Sequence, residues 1–391
     1  MGRKLKVVVN AIPATNPVTG IGRYVLELYA AIAQIGGAEV EIAYFDGANA
    51  SREPPRPPAS LKGFSLLGRV YWSLPLALSL PIRLAVHRRR EATFVRESAG
   101  ADVYHETAFF PFRAAAGVRT VQTIQDLSVQ FHPQWHPRER VAYTMRYFRE
   151  RLAWASEILC ISEFTRRELA RFDAAAAARA TLTHLAADAR FHPAEASDIE
   201  RVRARYALPP RYLFFVGSGD PRKNARALAE VVARGKVGCD IVCAGWEGWL
   251  AAPSPHVRML GYVPDEDLPA LYSAATAFVF PSLYEGFGLP VVEAMACGCA
   301  VVVPRAHSMP ELVGDLGAYY GAPEDVDGLE RTLVELVGDD ARRRALAAGG
   351  IERARRFDWR DTARRTLDAF ERAASTPVPP RGRAAAETSR L

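Results

Sequence analysis

One stretch of this chain, from Phe280 to Pro304, constrains the possible fold more than any other. An apolar run (AFVFPS) leads into the stretch and a second one, Ala300–Pro304, closes it, and both have the composition of buried strands. Between them lie a glycine-containing loop, Glu285–Leu289, and a segment that begins with Pro290. Proline is favoured at the first position of a helix, where its missing N–H would have no partner anyway. The stretch therefore predicts a strand, a glycine loop, a helix and a strand, a unit of an α/β protein.

The amino-terminal end of this helix is a candidate anion site, because its free N–H groups and the helix dipole favour negative charge. Two carboxylates frame it, Glu285 on the loop and Glu293 about one turn into the helix. An ionised carboxylate only accepts hydrogen bonds, so sugar hydroxyls are its natural partners. The pattern predicts a ligand with both phosphate and polyol, a sugar nucleotide. On spacing alone, solvated surface glutamates beside an ordinary strand–glycine–helix turn are the simpler interpretation.

The complete sequence of the stretch is more specific for one kind of protein than the spacing of its glutamates. Glu285–Glu293 (EGFGLPVVE), followed by the small residues of Ala294–Gly298, resembles the E-x7-E motif of the family 4 retaining glycosyltransferases, which have the GT-B fold. The resemblance implies an α/β protein whose two Rossmann-like domains face each other across a cleft. It also implies that Glu285 orients the donor sugar and that Glu293 holds the ribose. Backbone N–H groups of the loop are expected to meet sugar and phosphate oxygens, at Phe287, Gly288 and Leu289.

Length and composition agree with two soluble domains. At 391 residues the chain exceeds one ordinary core, and two domains of roughly 180 residues are expected. A net charge of +6 suits an anionic substrate or a membrane surface and does not indicate a nucleic-acid partner. The five cysteines lie mostly in apolar runs, which indicates buried side chains in a reducing compartment and argues against zinc. With no signal peptide visible, we expect a cytoplasmic protein that works on the inner face of the cytoplasmic membrane if it touches one.

The first strand and helix contain a second glycine loop. Leu5–Asn10 reads as a buried parallel strand, and Gly20 and Gly22 open the helix that follows it. A lone G-x-G is weak evidence, because tight packing explains most such glycines. The wording GIGRY nevertheless resembles the first glycine loop of the same family, which implies that Gly20 and Gly22 face the donor diphosphate and the acceptor. A NAD-dependent Rossmann enzyme is disfavoured, because the third glycine of G-x-G-x-x-G is absent.

The segment Leu61–Arg90 has two interpretations. It mixes large apolar residues with a basic end, His87–Arg90. Two packed helices with a solvated basic end are favoured. The alternative is an amphipathic element that contacts the membrane surface and holds a lipid-linked acceptor near the cleft.

A candidate phosphate loop follows the strand that ends near Gly217 (GSGDPRKN). Arg222 and Lys223 stand beside a glycine turn at a predicted helix start, a combination that favours bound phosphate. The loop is similar to the family's phosphate loop, which implies that both cations stabilise the departing diphosphate. Ser218 departs from the family pattern, since a second basic residue is common there. A later segment (GYV), which contains Tyr262 and Val263, resembles the part that meets the nucleotide base through its backbone.

A second departure lies after the strand that ends in Thr123-Ile124. The family usually has histidine and then aspartate there, whereas this chain has Gln125 and Asp126. Glutamine can donate and accept a hydrogen bond but cannot take a proton near neutral pH. Either the reaction needs only hydrogen bonding at Gln125, which we favour, or the protein binds a donor without catalysis.

We expect residues 1–205 to form the acceptor-binding domain and residues 206–358 the donor-binding domain, with a helix at about 359–373 that packs back on the first domain and a disordered tail at 376–391. The inferred reaction moves a sugar, with mannose favoured and GDP-mannose the suggested donor, to a hydroxyl of a polysaccharide or lipid-linked acceptor with retention. The alternatives are a GT-B sugar-nucleotide epimerase and a non-catalytic binder. No metal or other cofactor is expected, because Arg222 and Lys223 supply the neutralising charge, and Asp325 and Asp327 of a D-x-D lie where carboxylates cap a helix.

Overall fold

The computed structural model describes residues 3–15, 20–36, 39–56, 74–217, 220–245 and 256–376. These ranges form two sheets of mainly parallel strands, which confirms the predicted α/β fold with two Rossmann-like domains. Three predictions fall partly or wholly outside them: Ser218, the 61–73 part of Leu61–Arg90, and the tail from residue 377 onward.

The amino-terminal sheet has seven strands in the order β3-β2-β1-β4-β5-β6-β7, and only β3 is antiparallel to its neighbour. Because Val7 and Val9 pack in one apolar cluster and Val8 in another, both faces of this sheet are buried. This explains why its strands are continuous apolar runs in the sequence. The strands are β1 (Leu5–Asn10), β2 (Val40–Phe45), β3 (Ala50–Ser51), β4 (Val103–Glu106), β5 (Arg119–Ile124), β6 (Ala155–Cys160) and β7 (Ala180–Leu182).

Seven α-helices lie in this part of the chain within the described ranges. They are α1 (Gly20–Gly36), α2 (Leu76–Glu97), α3 (Ser128–Phe131), α4 (Arg138–Leu152), α5 (Glu163–Phe172), α6 (Ala174–Ala178) and α7 (Ala196–Tyr206). Ser162 caps α5, and its side chain accepts a hydrogen bond from the N–H of Thr165.

The carboxyl-terminal sheet has six parallel strands in the order β10-β9-β8-β11-β12-β13. They are β8 (Tyr212–Val216), β9 (Asp240–Ala244), β10 (Val257–Gly261), β11 (Ala277–Val279), β12 (Val301–Pro304) and β13 (Ala318–Tyr320). The helices are α8 (Ala225–Ala233), α9 (Leu268–Ala274), α10 (Leu289–Ala296), α11 (Met309–Val313), α12 (Val326–Gly338), α13 (Asp340–Ala354) and α14 (Trp359–Ser375). Both sheets reverse their strand order beside their first strand, β1 or β8, where ligands of open α/β sheets bind.

Helix α14 returns to the amino-terminal domain. It packs against α1 and β4 to β7, and the Phe370 ring lies 5.2 Å from the His105 ring. Arg372 bonds Glu157 at 2.9 Å. Helix α7 packs on the other domain, because Arg205 pairs with Asp267 at 2.9 Å beside α9. The boundary expected at residue 205 therefore falls inside a helix that belongs to the second domain by its contacts.

Three segments show where helices begin and end. The described part of Leu61–Arg90 contains one helix, α2, which begins at Leu76 and continues through Pro81 to Glu97, and the 61–73 part lies outside the described residues. The run Ala174–Ala178 is a short helix, because the Asp173 side chain accepts the N–H of Ala176. Helix α9 begins at Leu268, directly after Asp267. Within the described ranges, no helix is long and apolar enough to cross a bilayer.

Candidate active site

The 285–289 loop connects β11 to α10 at the carboxyl edge of the second sheet. Helix α10 begins at Leu289, one residue before the proline that predicted it. Gly288 has a φ of +109°, a backbone conformation that favours glycine. Among the described residues, none accepts a hydrogen bond from the amide groups of Phe287, Gly288 or Leu289. These are the amides that the sequence assigned to phosphate and sugar oxygens.

Glu285 and Lys223 meet at the start of this loop. Lys223 Nζ lies 2.7 Å from Glu285 Oε1, and both side chains are largely covered, with 22% and 15% of their surface exposed. The lysine is the last residue of a short 3-10 turn, Pro221–Lys223, and the N–H of Leu283 donates to the Arg222 carbonyl at 2.7 Å. The phosphate loop and the 285–289 loop are therefore joined by backbone and by charge.

Arg222 is held by carboxylates from both domains. Its guanidinium bonds Asp220 at 2.7 Å within its own domain, and reaches across to Asp126 at 3.2 Å and to the Ser128 hydroxyl at 3.0 Å. Burial favours the neutral acid, but the Arg222 charge and the Ser128 hydrogen bonds outweigh burial and hold the pKa of Asp126 below its ordinary value. The sequence predicted that Arg222 binds phosphate, whereas in the structure its guanidinium bonds carboxylates of both domains.

Gln125 lies at the end of β5, opposite the 285–289 loop. Its side-chain N–H donates to the Thr107 carbonyl at 2.9 Å. A Cβ added at Gly286 would lie 2.1 Å from the Gln125 carbonyl oxygen. The loop and β5 can approach this closely only because residue 286 is glycine.

Glu293 is buried and paired across the domain boundary. Only 3% of its side chain is exposed, and the Arg23 guanidinium bonds one carboxylate oxygen while Tyr272 donates to the other at 3.2 Å. Arg23 also bonds Asp265 at 2.9 Å. Burial raises the pKa of Glu293, and the Arg23 charge opposes that rise. The Glu293 carboxylate, which the sequence predicted to hold the ribose, is therefore bonded to Arg23.

Sequence reasoning gave no role to Arg23 or to Asp265. The available signal was the E-x7-E glutamate itself, since a carboxylate on the apolar face of a helix needs a cation. Asp265 and Asp267 form a second D-x-D, which also bears on metal binding. Asp265 bonds Arg23, and Asp267 bonds Arg205 and Tyr206, so both carboxylates have protein partners.

The remaining predicted donor residues lie along the same edges. Gly20 begins α1 and a Cβ there would meet nothing within 4 Å, whereas Gly22 is buried in the first turn. Gly217 follows β8, and a Cβ there would lie 2.7 Å from the Phe215 ring. Tyr262 follows β10 with 58% of its surface exposed, and Val263 is buried. Of Gly20 and Gly217, only Gly20 has open space for a Cβ.

The predicted cleft is bridged by side chains. Arg23 meets Glu293, Arg222 meets Asp126, and Gly286 abuts Gln125. Two surface cavities in the described ranges, of about 310 and 410 Å³, lie elsewhere. One adjoins β13 and is lined by Arg305, Tyr319, Tyr320 and Arg331, and the other adjoins β2 and is lined by Tyr44, Asp46, Ser51, Glu53 and Pro54. The site therefore rests on convergent groups at the domain boundary.

Within the described part of the chain, no group of three or more histidine, cysteine, aspartate or glutamate side chains could hold a metal ion. The D-x-D carboxylates have other roles: Asp325 accepts the N–H of Gly328 at the start of α12, and Asp327 pairs with Arg234 at 2.7 Å. All five cysteines are free and buried.

Comparison with known proteins identifies the family. The Glycosyltransferase Family 4 pattern matches residues 18–191, and the family described as Glycosyl transferases group 1 matches residues 210–339. The O-antigen chain mannosyltransferase B of Escherichia coli is 34% identical over 387 residues, which cover 94% of this chain and 100% of that protein. An MMP alpha-(1->4)-mannosyltransferase of Mycolicibacterium hassiacum is 43% identical over 112 residues, or 28% of this chain and 27% of that protein.

Solved structures show the same architecture. Sucrose-phosphate synthase from Thermosynechococcus elongatus superposes with a TM-score of 0.68 at 20% identity, covering 94% of this chain and 98% of that one. WaaG, a glycosyltransferase involved in lipopolysaccharide biosynthesis, superposes with a TM-score of 0.66 at 14% identity, covering 94% and 99%. The GT-B fold expected from the E-x7-E resemblance is confirmed. The chain belongs to the family 4 glycosyltransferases.

Proposed function

We propose that this glycosyltransferase moves a mannosyl unit from GDP-mannose to a hydroxyl of a polysaccharide or lipid-linked acceptor, with retention at the anomeric carbon. The 2.7 Å pair of Lys223 and Glu285 beside the unbonded amides of the 285–289 loop carries the proposal. Mannose as the sugar is supported by the likeness to the Escherichia coli O-antigen mannosyltransferase over 94% of the chain. Retention follows from the family resemblance.

Each group at the site has a part in the proposed step. The acceptor oxygen bonds to the anomeric carbon while the bond to the diphosphate oxygen breaks, and the acceptor proton passes to the leaving diphosphate. Lys223 and the amino-terminal end of α10 stabilise the charge that develops there, which is usually the largest catalytic contribution. Glu285 orients the sugar through its hydroxyls and Gln125 offers an amide hydrogen bond. Glu293 accepts a hydrogen bond from the ribose once Arg23 no longer bonds one of its carboxylate oxygens.

The acceptor is proposed to approach from α2 at the membrane surface. Leu78, Ile82 and Val86, spaced four residues apart, are 56%, 46% and 44% exposed and share one face of the helix. The exposed run Arg88–Arg90 follows them and suits anionic lipid. Co-sedimentation with anionic vesicles at low salt tests this, with replacement of Arg88, Arg89 and Arg90 by serine expected to release the protein. Absence of binding to any vesicle would leave α2 an ordinary surface helix.

A panel of nucleotide sugars tests the reaction. We expect hydrolysis or transfer of GDP-mannose in preference to the UDP and ADP sugars, and proton NMR of the product should show the donor's anomeric configuration. Preference for another sugar would overturn the mannosyl assignment but keep the transferase. Interconversion of a sugar nucleotide without transfer would indicate an epimerase, and tight binding without any turnover a non-catalytic binder.

A further inference from the structure

The middle of the 285–289 loop is held by the amino-terminal domain. The Gly286 carbonyl accepts hydrogen bonds from the hydroxyls of Ser162 and Thr165, the latter at 3.1 Å. Both hydroxyls are buried, with 0% and 1% of each residue exposed. They belong to the start of α5, where the Ser162 oxygen also accepts the N–H of Thr165 at 2.9 Å. The side chains at the start of α5 therefore hydrogen-bond the backbone of the second domain.

The same helix end is bonded by a carboxylate from the second domain. Glu311, on α11, accepts the backbone N–H groups of Glu163 at 2.8 Å and Phe164 at 3.1 Å. His184 Nε2 lies 2.6 Å from the same carboxylate. A negative charge at a helix amino terminus is favourable, and bonds to a carboxylate are stronger than neutral ones. Glu311 thus fixes α5, and with it Ser162 and Thr165, against the second domain.

The flanking carbonyls are held from the other side. Ser308, which precedes α11, donates to the carbonyl of Glu285 at 3.1 Å and also bonds that of Phe287. In a trans peptide the N–H of each residue points opposite to the preceding carbonyl, and the described chain has no cis bond. Fixing the carbonyls of Gly286 and Phe287 therefore fixes the direction of the N–H groups of Phe287 and Gly288. These two amides have no partner among the described residues.

We propose that Ser162, Thr165 and Glu311 are positioning residues of the transfer reaction. Through the Gly286 carbonyl they set the direction of the amides that meet the donor and the place of the Glu285 carboxylate. This rests on the proposed function of the 285–289 loop. Donors of this kind act only when preorganised, and small misplacements cost much rate. The amino-terminal domain thereby contributes to the geometry of the donor site, as well as to acceptor binding.

Kinetics of five variants test the proposal. The double variant Ser162→Ala/Thr165→Val removes both hydroxyls, Glu311→Ala removes the carboxylate, and Gly286→Ala forces the loop away from Gln125. We expect kcat with GDP-mannose to fall about tenfold or more in each, with the Kd for GDP changed by less than about twofold. Thr165→Ser keeps the hydroxyl and should retain most of the activity. Arg166→Ala, on the exposed side of the same helix, is the matched control and should behave as the parent.

Hydrogen exchange tests the geometry independently of activity. The amides of Glu163 and Phe164 should exchange faster in Glu311→Ala than in the parent and in Arg166→Ala. A parent that neither transfers nor hydrolyses any nucleotide sugar would refute the proposed function, while faster exchange would still support the contact. Unchanged exchange, unchanged kcat in the variants, or equal losses of kcat, GDP affinity and thermal stability would each overturn the positioning role.

Discussion

The two glutamates of the E-x7-E motif occupy contrasting surroundings. Glu285 is partly exposed and pairs with Lys223 of its own domain, whereas Glu293 is buried and pairs with Arg23 of the other domain. The Glu285–Lys223 pair, with 15% and 22% of its side chains exposed, is less deeply buried than the Glu293–Arg23 pair, with 3% and 14%, so separating its charges leaves less uncompensated desolvation. The first glutamate is therefore available to a reacting sugar. The second contributes to the contact between the domains, and in the proposed function it would link that contact to donor binding.

Loss of the Glu285–Lys223 pair should have the largest effect. We expect Glu285→Gln and Lys223→Ala each to cut turnover by about two orders of magnitude or more, as for loss of one preorganised transition-state contact. Circular dichroism and thermal unfolding should stay near the parent, since both side chains lie at the surface of the cleft. Near-parent transfer by either variant would refute the assignment of this pair to catalysis.

Gln125→Ala should have the next largest effect, a loss of about tenfold or more in kcat with nucleotide binding retained. The side chain supplies a hydrogen bond from the domain that faces Glu285. Because an amide does not titrate, the parent's rate should show no limb near the ordinary histidine pKa that belongs to this position. Gln125→His is the informative partner, since it should introduce such a limb. Full activity of Gln125→Ala would remove Gln125 from the site.

Glu293→Ala should act mostly on donor affinity. Ribose contacts are similar in the ground and transition states, so the Kd for GDP-mannose should rise by about tenfold while kcat changes less. Glu293→Gln keeps the shape and one acceptor, and should fall between this variant and the parent. Calorimetric titration gives both constants. An unchanged donor Kd in Glu293→Ala would remove Glu293 from the donor site.

Arg23→Ala tests the buried Arg23–Glu293 pair through the pH dependence of stability. Without the guanidinium, the pKa of Glu293, already raised by burial, should rise further. The native state then holds a proton that the unfolded chain has released, so unfolding free energy falls as pH rises. The loss relative to the parent should accumulate as the pH rises above the ordinary glutamate pKa, with a slope of at most about 1.4 kcal/mol per pH unit. Parallel stability profiles for the variant and the parent would show that Arg23 does not set this pKa.

The smallest expected effect is that of removing divalent metal. With Lys223 and the start of α10 as the neutralising groups, EDTA should leave transfer unchanged, and added Mg²⁺ or Mn²⁺ should not raise it. Activity assays across a chelator series measure this. Loss of activity in EDTA that Mg²⁺ or Mn²⁺ restores would mean that cations from the chain are insufficient.

Local patterns determined much of this protein. Continuous apolar runs predicted the buried parallel strands, because strands covered on both faces carry no polar alternation. The glycines and proline of Glu285–Pro290 predicted the loop and the start of α10, because their backbone requirements are local. The E-x7-E stretch predicted Glu285 and Glu293 as site residues and the candidate phosphate loop predicted Lys223, and the tertiary structure brings Glu285 and Lys223 together at 2.7 Å.

Contacts between distant segments were decided only by the tertiary structure. Arg23 and Glu293 are 270 positions apart, and the Ser162 hydroxyl and the Gly286 carbonyl are 124 apart. No local pattern pairs such residues, because the pairing depends on how two separately folded sheets meet. Arg222 illustrates the consequence: its sequence context indicated a free cation for phosphate, and packing turned it toward Asp126 and Asp220. The sequence thus determined which charged groups are present. The domain interface decided which of them are paired with an opposite charge, because a buried charge needs a partner.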